Sequence, residues 1–268
     1  MPANELSRTY AFIQTHRSFS IVLGAGLGGF LVEKFGTSTA LLIDAGTFFV
    51  VGVFGATLRN ERKPDLGSFS NRESVQGFKR IFTAPVLIAS IVLLAAFNMA
   101  AGVNEVLGVF LIADTLHGTA SQYGLVFSAL GVSMLITGFT LSRIQIQFRD
   151  THALVISALI SASGMFMYGL SPNVGAAMAA FAINGIGLTG LHVFGTPIII
   201  RHTSEVERGR VFAASSSITT AGTLLSTGIA GSLGQLFPIR LVITCSAITC
   251  GMLALLAGAS IIRTERKA

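Results

Sequence analysis

The chain has 268 residues, of which 51% are hydrophobic and only 11% are charged, and its mean hydropathy is +0.73. A soluble domain carries about 25% charged residues, so this composition excludes an ordinary soluble enzyme and indicates an all-α integral membrane protein with several crossings. The net charge of +6 is typical of basic loops kept on the cytoplasmic side of a membrane. No basic patch with interleaved aromatic residues occurs, so we expect no nucleic-acid partner.

Eight apolar segments, each close to the ~20 residues that cross a bilayer core, predict eight transmembrane helices. The first two lie at about Ser18–Val32 and Ser38–Leu58. The other six are predicted at about Pro85–Ala113, Tyr123–Leu141, Ala153–Leu170, Ala176–Ile200, Val211–Phe237 and Leu241–Ile262. Two cysteines, Cys245 and Cys250, lie in the last segment, where we expect them to be small membrane-buried side chains.

One long hydrophilic run, Arg59–Arg80, separates the second apolar segment from the third, and six of its residues are basic. We expect residues 59–84 to form a cytoplasmic linker. It would join a two-helix N-terminal unit, residues 1–58, to a six-helix unit, residues 85–268. In this topology sixteen of the 18 Lys and Arg residues lie on the cytoplasmic side. That bias predicts that both termini are cytoplasmic.

Two glycine-rich stretches, GAGLGG from Gly24 and GIGLTG from Gly185, match the dinucleotide-binding pattern G-x-G-x-x-G. The pattern binds a cofactor only where it connects a strand to a helix. Both stretches lie inside apolar segments, so we expect no cofactor. Small residues let membrane helices approach closely, and Gly24, Gly28 and Gly29 therefore predict a close helix–helix contact.

Polar side chains inside a membrane are costly, and most face a partner or a cavity. Glu105 lies in the outer part of the third segment, with Asn104 beside it and Asn98 two turns earlier on the same face. His192 lies near the middle of the sixth segment. One interpretation is a polar cavity in which Glu105 carries protons; the other is an interfacial carboxylate and a hydrogen-bonded packing histidine. The sequence shows no nucleophile–base pair and no metal-ligand cluster, so we do not expect an enzyme.

Three stretches carry a family resemblance. They are SIVLGAGLGG (Ser20–Gly29), the run from Asn98 to Ser133, and RHTSEVERGRVFA (Arg201–Ala213), whose core is Arg208, Gly209 and Arg210. Together they resemble a major facilitator superfamily transporter of the bacterial efflux type that includes macrolide and enterobactin exporters. The first stretch is similar to the antiporter motif of the family's fifth helix, the second to helices seven and eight, and the third to the loop between helices ten and eleven.

The resemblance implies that the chain covers helices five to twelve, an N-terminally truncated form with a partial major facilitator fold. It implies proton-coupled efflux of a hydrophobic or amphipathic small molecule across the bacterial cytoplasmic membrane, with membrane lipid, substrate and protons as partners. The family's helices seven and ten line its cavity. Asn98, Asn104, Glu105 and His192 are therefore the candidate cavity residues that the resemblance supports.

A second interpretation stays open, because helices one to four of the family have no counterpart in this chain. It is a non-transporting membrane fragment, either a decayed gene product or a dimerising scaffold. A homo-oligomer or a missing N-terminal half would complete the bundle. The sequence does not separate an exporter from an importer of the same fold.

Overall fold

The structure is a computed structural model that describes residues 3–57, 81, 85–143 and 150–265. Over these residues every element is helical, which confirms the prediction of an all-α protein. The helices are α1 (Ala3–Thr57), α2 (Pro85–Phe110), α3 (Ala120–Arg143), α4 (Asp150–Gly169), α5 (Val174–Arg201), α6 (Glu205–Leu236) and α7 (Ile239–Glu265). A π turn, Leu111–Thr115, extends the end of α2.

The first helix contains a break that separates the first two predicted segments. Gly36 there has φ 79° and ψ 162°, a backbone conformation that glycine adopts because it has no Cβ. We name residues 3–35 α1a and residues 37–57 α1b. α1a packs on α3, whereas α1b is exposed on every side from Leu41 to Thr57. The break therefore joins a helical segment that packs on α3 to one that is exposed from Leu41 to Thr57.

Six of the described helices are long and apolar enough to cross a membrane, fewer than the eight predicted segments. The first two predicted segments fall within one candidate span, Ser18–Thr57, with the break inside it. α6 is 32 residues long, but its many serine, threonine and glycine residues lower its hydropathy. The count of eight crossings is thus not confirmed. The predicted linker, residues 59–84, lies outside the described residues except for Ile81.

Helices α2 to α7 form one bundle around α2 and α5. α2 packs against α5, α6 and α7, while α5 packs against α3 and α4, and α7 also lies on α4. Two apolar clusters fill the interior. One contains Leu93 and Leu154, and the other contains Leu107 and Phe181. The second cluster lies next to the candidate site described below.

The second glycine motif, in α5, brings that helix against two neighbours. A Cβ on Gly187 would collide with the backbone of Ser161 in α4. A Cβ on Gly185 would lie 2.7 Å from the carbonyl oxygen of Leu130 in α3. These glycines allow the backbones to approach closely, as small residues do between membrane helices. The motif lies within a helix and serves helix packing.

The first glycine motif approaches α3 at Gly29. A Cβ built on Gly29 would lie 2.5 Å from the carbonyl oxygen of Ala120, so no side chain fits there. A Cβ on Gly24 or Gly28 would meet no described atom within 4 Å. The predicted close contact therefore falls on Gly29 and not on Gly24 or Gly28. The helix turns those two residues toward an open pocket instead.

The position of this contact predicts opposite effects for two neighbouring substitutions. Gly29→Ala should lower the free energy of unfolding by about 1–3 kcal/mol, because the new methyl group meets backbone atoms that cannot move aside. Gly28→Ala should be neutral or stabilise by up to about 1 kcal/mol, since alanine favours a helix and the space is open. Thermal unfolding of both purified variants in one detergent measures the difference. Equal effects would contradict the α1a–α3 contact.

Candidate functional site

A pocket of about 430 Å³ lies between α1a, the end of α2 and the start of α3. Its volume falls within the range of ~300–1,000 Å³ that is typical of small-molecule sites. Gly24 and Gly28 line it from α1a, Val109 and Ile112 from the end of α2, and Tyr123 from α3. The lining is apolar apart from the hydroxyl groups of α3 and the residue before it.

Two local features make room for this pocket. Gly24 and Gly28 face it without side chains, and an added Cβ at either position would meet nothing among the described atoms within 4 Å. The π turn Leu111–Thr115 widens the last turn of α2, and two of its residues line the pocket. π turns inside helices are frequent at functional sites. The space is thus built from the backbone of both helices and does not depend on one rotamer.

Glu105 lies beside the pocket. It is exposed and one turn before the lining residue Val109, so the two share a face of α2. Tyr123 lines the pocket from α3 and is half-buried. A carboxylate beside the pocket and a phenol in its lining therefore accompany an otherwise apolar space. The sequence did not single out Tyr123, because only the tertiary structure places it in the pocket lining.

Asn98 and Asn104 direct their amide groups at their own helix. Asn98 Nδ2 donates to the carbonyl oxygen of Leu94 at 2.7 Å, and Asn104 Nδ2 donates to that of Ala100 at 3.0 Å. Asn104 is only 3% exposed, whereas Asn98 is half-buried. Asn104 therefore lies in the interior of the bundle, whereas Asn98 is partly accessible.

His192 belongs to another part of the bundle. It is half-buried in α5, and α5 contributes no residue to the pocket lining. Two turns earlier on the same helix, Asn184 accepts a hydrogen bond from Ser161 Oγ at 2.6 Å, which links α5 to α4 in the interior. The structure does not bring His192 into the pocket beside Glu105. Within the described ranges no group of His, Cys, Asp and Glu could hold a metal ion.

The motif Arg208–Arg210 lies in the first turns of α6, which begins at Glu205. The preceding residue, Ser204, is extended, with φ −67° and ψ 158°. Its hydroxyl group donates to the Glu207 carboxylate at 2.8 Å, but it makes no cap hydrogen bond to the backbone of α6. The predicted loop motif is thus helical, because α6 begins at Glu205, six residues before the predicted segment.

An aromatic chain joins the pocket to the bundle core. Ring centroids are 4.8 Å apart for Tyr123 and Phe127, 5.0 Å for Phe127 and Phe181, and 4.3 Å for Phe181 and Tyr168. Tyr168 is fully buried, and its hydroxyl group has no hydrogen-bond partner among the described residues. Aromatic pairs of this kind hold each other at preferred angles. These ring contacts connect Tyr123, on the α3 side of the pocket, to the buried Tyr168 in α4.

The chain is similar in sequence to a known family of membrane transporters. The family model described as Major Facilitator Superfamily matches residues 1–112 and 99–268. The chain is 23% identical over 253 residues to the uncharacterized MFS-type transporter YfiS of Bacillus subtilis (strain 168), covering 89% of this chain and 59% of that protein. It is 24% identical over 221 residues to the uncharacterized MFS-type transporter YceJ of the same organism, covering 81% of this chain and 55% of that protein. The chain spans less than two thirds of the length of these curated relatives.

The buried phenol generates a prediction about stability. Tyr168→Phe should leave the free energy of unfolding unchanged or raise it by up to about 1–3 kcal/mol, because a buried hydroxyl group without a partner is unfavourable. Tyr168→Leu should lower it by about 1–3 kcal/mol, since the ring contact with Phe181 is lost. Thermal unfolding in detergent compares the two. A large loss of stability in Tyr168→Phe would contradict this prediction, because it would show that the hydroxyl group makes a stabilising hydrogen bond.

Proposed function

The chain belongs to the major facilitator superfamily, and from this premise we propose that it exports a hydrophobic or amphipathic small molecule in exchange for protons. One observation carries the proposal: an exposed carboxylate, Glu105, lies beside an apolar pocket of small-molecule size. The pocket supplies affinity for apolar surface, and the carboxylate supplies a group that can bind and release a proton. Family membership also favours this function over that of a non-transporting scaffold.

The pocket suits the apolar part of such a substrate. Transfer of apolar surface from water to an apolar lining is favourable and requires no specific polar partner. Gly24 and Gly28 keep the α1a side of the pocket flat. The hydroxyl group of Tyr123 gives one polar contact, which can orient a substrate that carries a polar end.

Glu105 is the proposed proton site. An ionised carboxylate in a membrane helix is costly unless it faces a partner or an aqueous cavity, and protonation removes that cost. Binding of substrate in the neighbouring pocket displaces water and so favours the neutral acid. Asn98, Asn104 and His192 are proposed to lie along the cavity wall in the complete transporter.

We also propose a setting for this function. The Lys and Arg bias supports a multi-pass protein of the bacterial cytoplasmic membrane with both termini inside. The chain spans just over half of its curated relatives, and α1b is exposed on every side. Transport would therefore use further helices packed on α1b and α6, supplied by another segment of the protein or by a second copy.

Removal of the proposed proton site should uncouple export from protons. Glu105→Gln keeps the shape of the side chain but cannot ionise, so proton-driven export of a lipophilic fluorescent dye should fall roughly tenfold or more. Asp114→Asn is the matched control, because Asp114 is another exposed carboxylate at the end of the same helical region. Everted membrane vesicles with an imposed pH gradient measure both. Full export by Glu105→Gln would remove this role.

Filling the pocket should weaken substrate binding. Gly24→Leu and Gly28→Leu place side chains in its open space, and we expect the KM for the exported dye to rise roughly tenfold or more. Gly46→Leu adds the same side chain to α1b, where the space is also open but no pocket lies. Dye export at several concentrations measures the change. Equal KM values in all three variants would exclude the pocket as the substrate site.

A further inference from the structure

Glu33, in the last turn of α1a, forms a hydrogen bond that spans 88 positions of sequence. Its Oε2 accepts from the backbone N–H of Ser121 at 2.9 Å. Ser121 is the second residue of α3, so its N–H is one that a helix cannot satisfy internally. The negative charge also lies at the end of α3 where the helix dipole favours an anion.

The start of α3 has its own cap besides Glu33. The backbone N–H of Thr119 donates to Gln122 Oε1 at 3.0 Å, and the backbone N–H of Gln122 donates to Thr119 Oγ1 at 3.3 Å. These reciprocal bonds form a capping box. α3 can therefore start at the same residue without help from α1a. Because Glu33 is exposed, water can replace it at the Ser121 N–H, so the bond can break and re-form without loss of the helix.

The bond lies at one end of the contact between α1a and α3, next to the pocket. Val32, which precedes Glu33, and Ala120, which precedes Ser121, both line the pocket. Farther along the pair, Ser128 Oγ donates to the carbonyl oxygen of Val22 at 2.9 Å. After Glu33 the helix is interrupted at Gly36, and the chain continues as the exposed α1b. Glu33 thus holds α1a to α3 within the last turn before the break.

We propose that Glu33 is a latch that holds the predicted outer end of α1a against α3 and so narrows the access to the pocket at that end. When the bond to Ser121 is broken, the end of α1a moves away from α3 about the contact near Ser128, and the pocket opens at that end. The purpose of the latch, which is to time substrate release, rests on the proposed function. The latch itself is tested by a labelling rate that requires no transport.

The test measures how fast a reagent enters the pocket. Gly28→Cys places a thiol in the open lining, in a chain whose two native cysteines are replaced by Cys245→Ser and Cys250→Ala. A membrane-impermeant methanethiosulfonate reagent then reports access in vesicles. Glu33→Ala should raise the modification rate roughly two- to fivefold, the factor expected when an exposed charge-assisted bond no longer favours the closed state. Glu33→Gln, which keeps an acceptor, should give a smaller increase.

Two controls separate the latch from other effects. Asp44→Ala removes a carboxylate from α1b without touching α3, and it should leave the modification rate unchanged. Gln122→Ala weakens the cap of α3 but keeps the Glu33 bond, and it should also leave the rate unchanged. Equal modification rates in Glu33→Ala and Asp44→Ala would overturn the latch. An increase in Gln122→Ala as large as that in Glu33→Ala would also overturn it, because it would indicate fraying of α3.

A chain that exports no dye could still show faster modification in Glu33→Ala. That result would support the latch and refute only the proposed function.

Discussion

The close approach of helix backbones at small residues is the constraint on which the rest of this structure depends. Lipid is as apolar as leucine, so membrane helices gain little by burying apolar side chains and associate through tight packing instead. α3 shows this on two faces. One face meets α1a at Gly124 and Ser128, and the other meets α5 at Leu130 and Ser133. α3 therefore connects the N-terminal arm to the bundle, and a shift of α3 reaches both.

The candidate site follows from this packing. α1a contacts α3 through Gly29, whereas Gly24 and Gly28 have no described atom within 4 Å of an added Cβ, and the pocket occupies that space. Val109 of α2 and Tyr123 of α3 line the same pocket. An apolar space with one phenol in its lining thus arises from contacts between three helices. No single segment of sequence contains all the residues that line it.

Hydropathy and glycine content were enough to predict the helices from Pro85 onward to within a few residues, except at the start of α6. They also predicted a division of the N-terminal region, where Gly36 breaks α1. Spacing alone could not tell which glycine meets a neighbour, because Gly28 and Gly29 differ only in the face they present. Contacts distant in sequence, such as Glu33 with Ser121, had no local signal. The capping pattern from Thr119 to Gln122 marks the start of α3, and the sequence-based prediction did not use it.

The low hydropathy of α6 has a consequence for biogenesis. A helix with so many hydroxyl groups gains little by entering lipid alone, so its insertion depends on a neighbour that shields its polar face. Its main neighbour is α2, and the hydroxyl group of Thr223 donates to the backbone carbonyl of Asn98 at 3.4 Å. α2 ends at Phe110 and α6 begins at Glu205, so the ribosome completes α2 well before α6. The main partner of α6 is therefore already made when α6 emerges, which favours the insertion of α6 as a pair with α2.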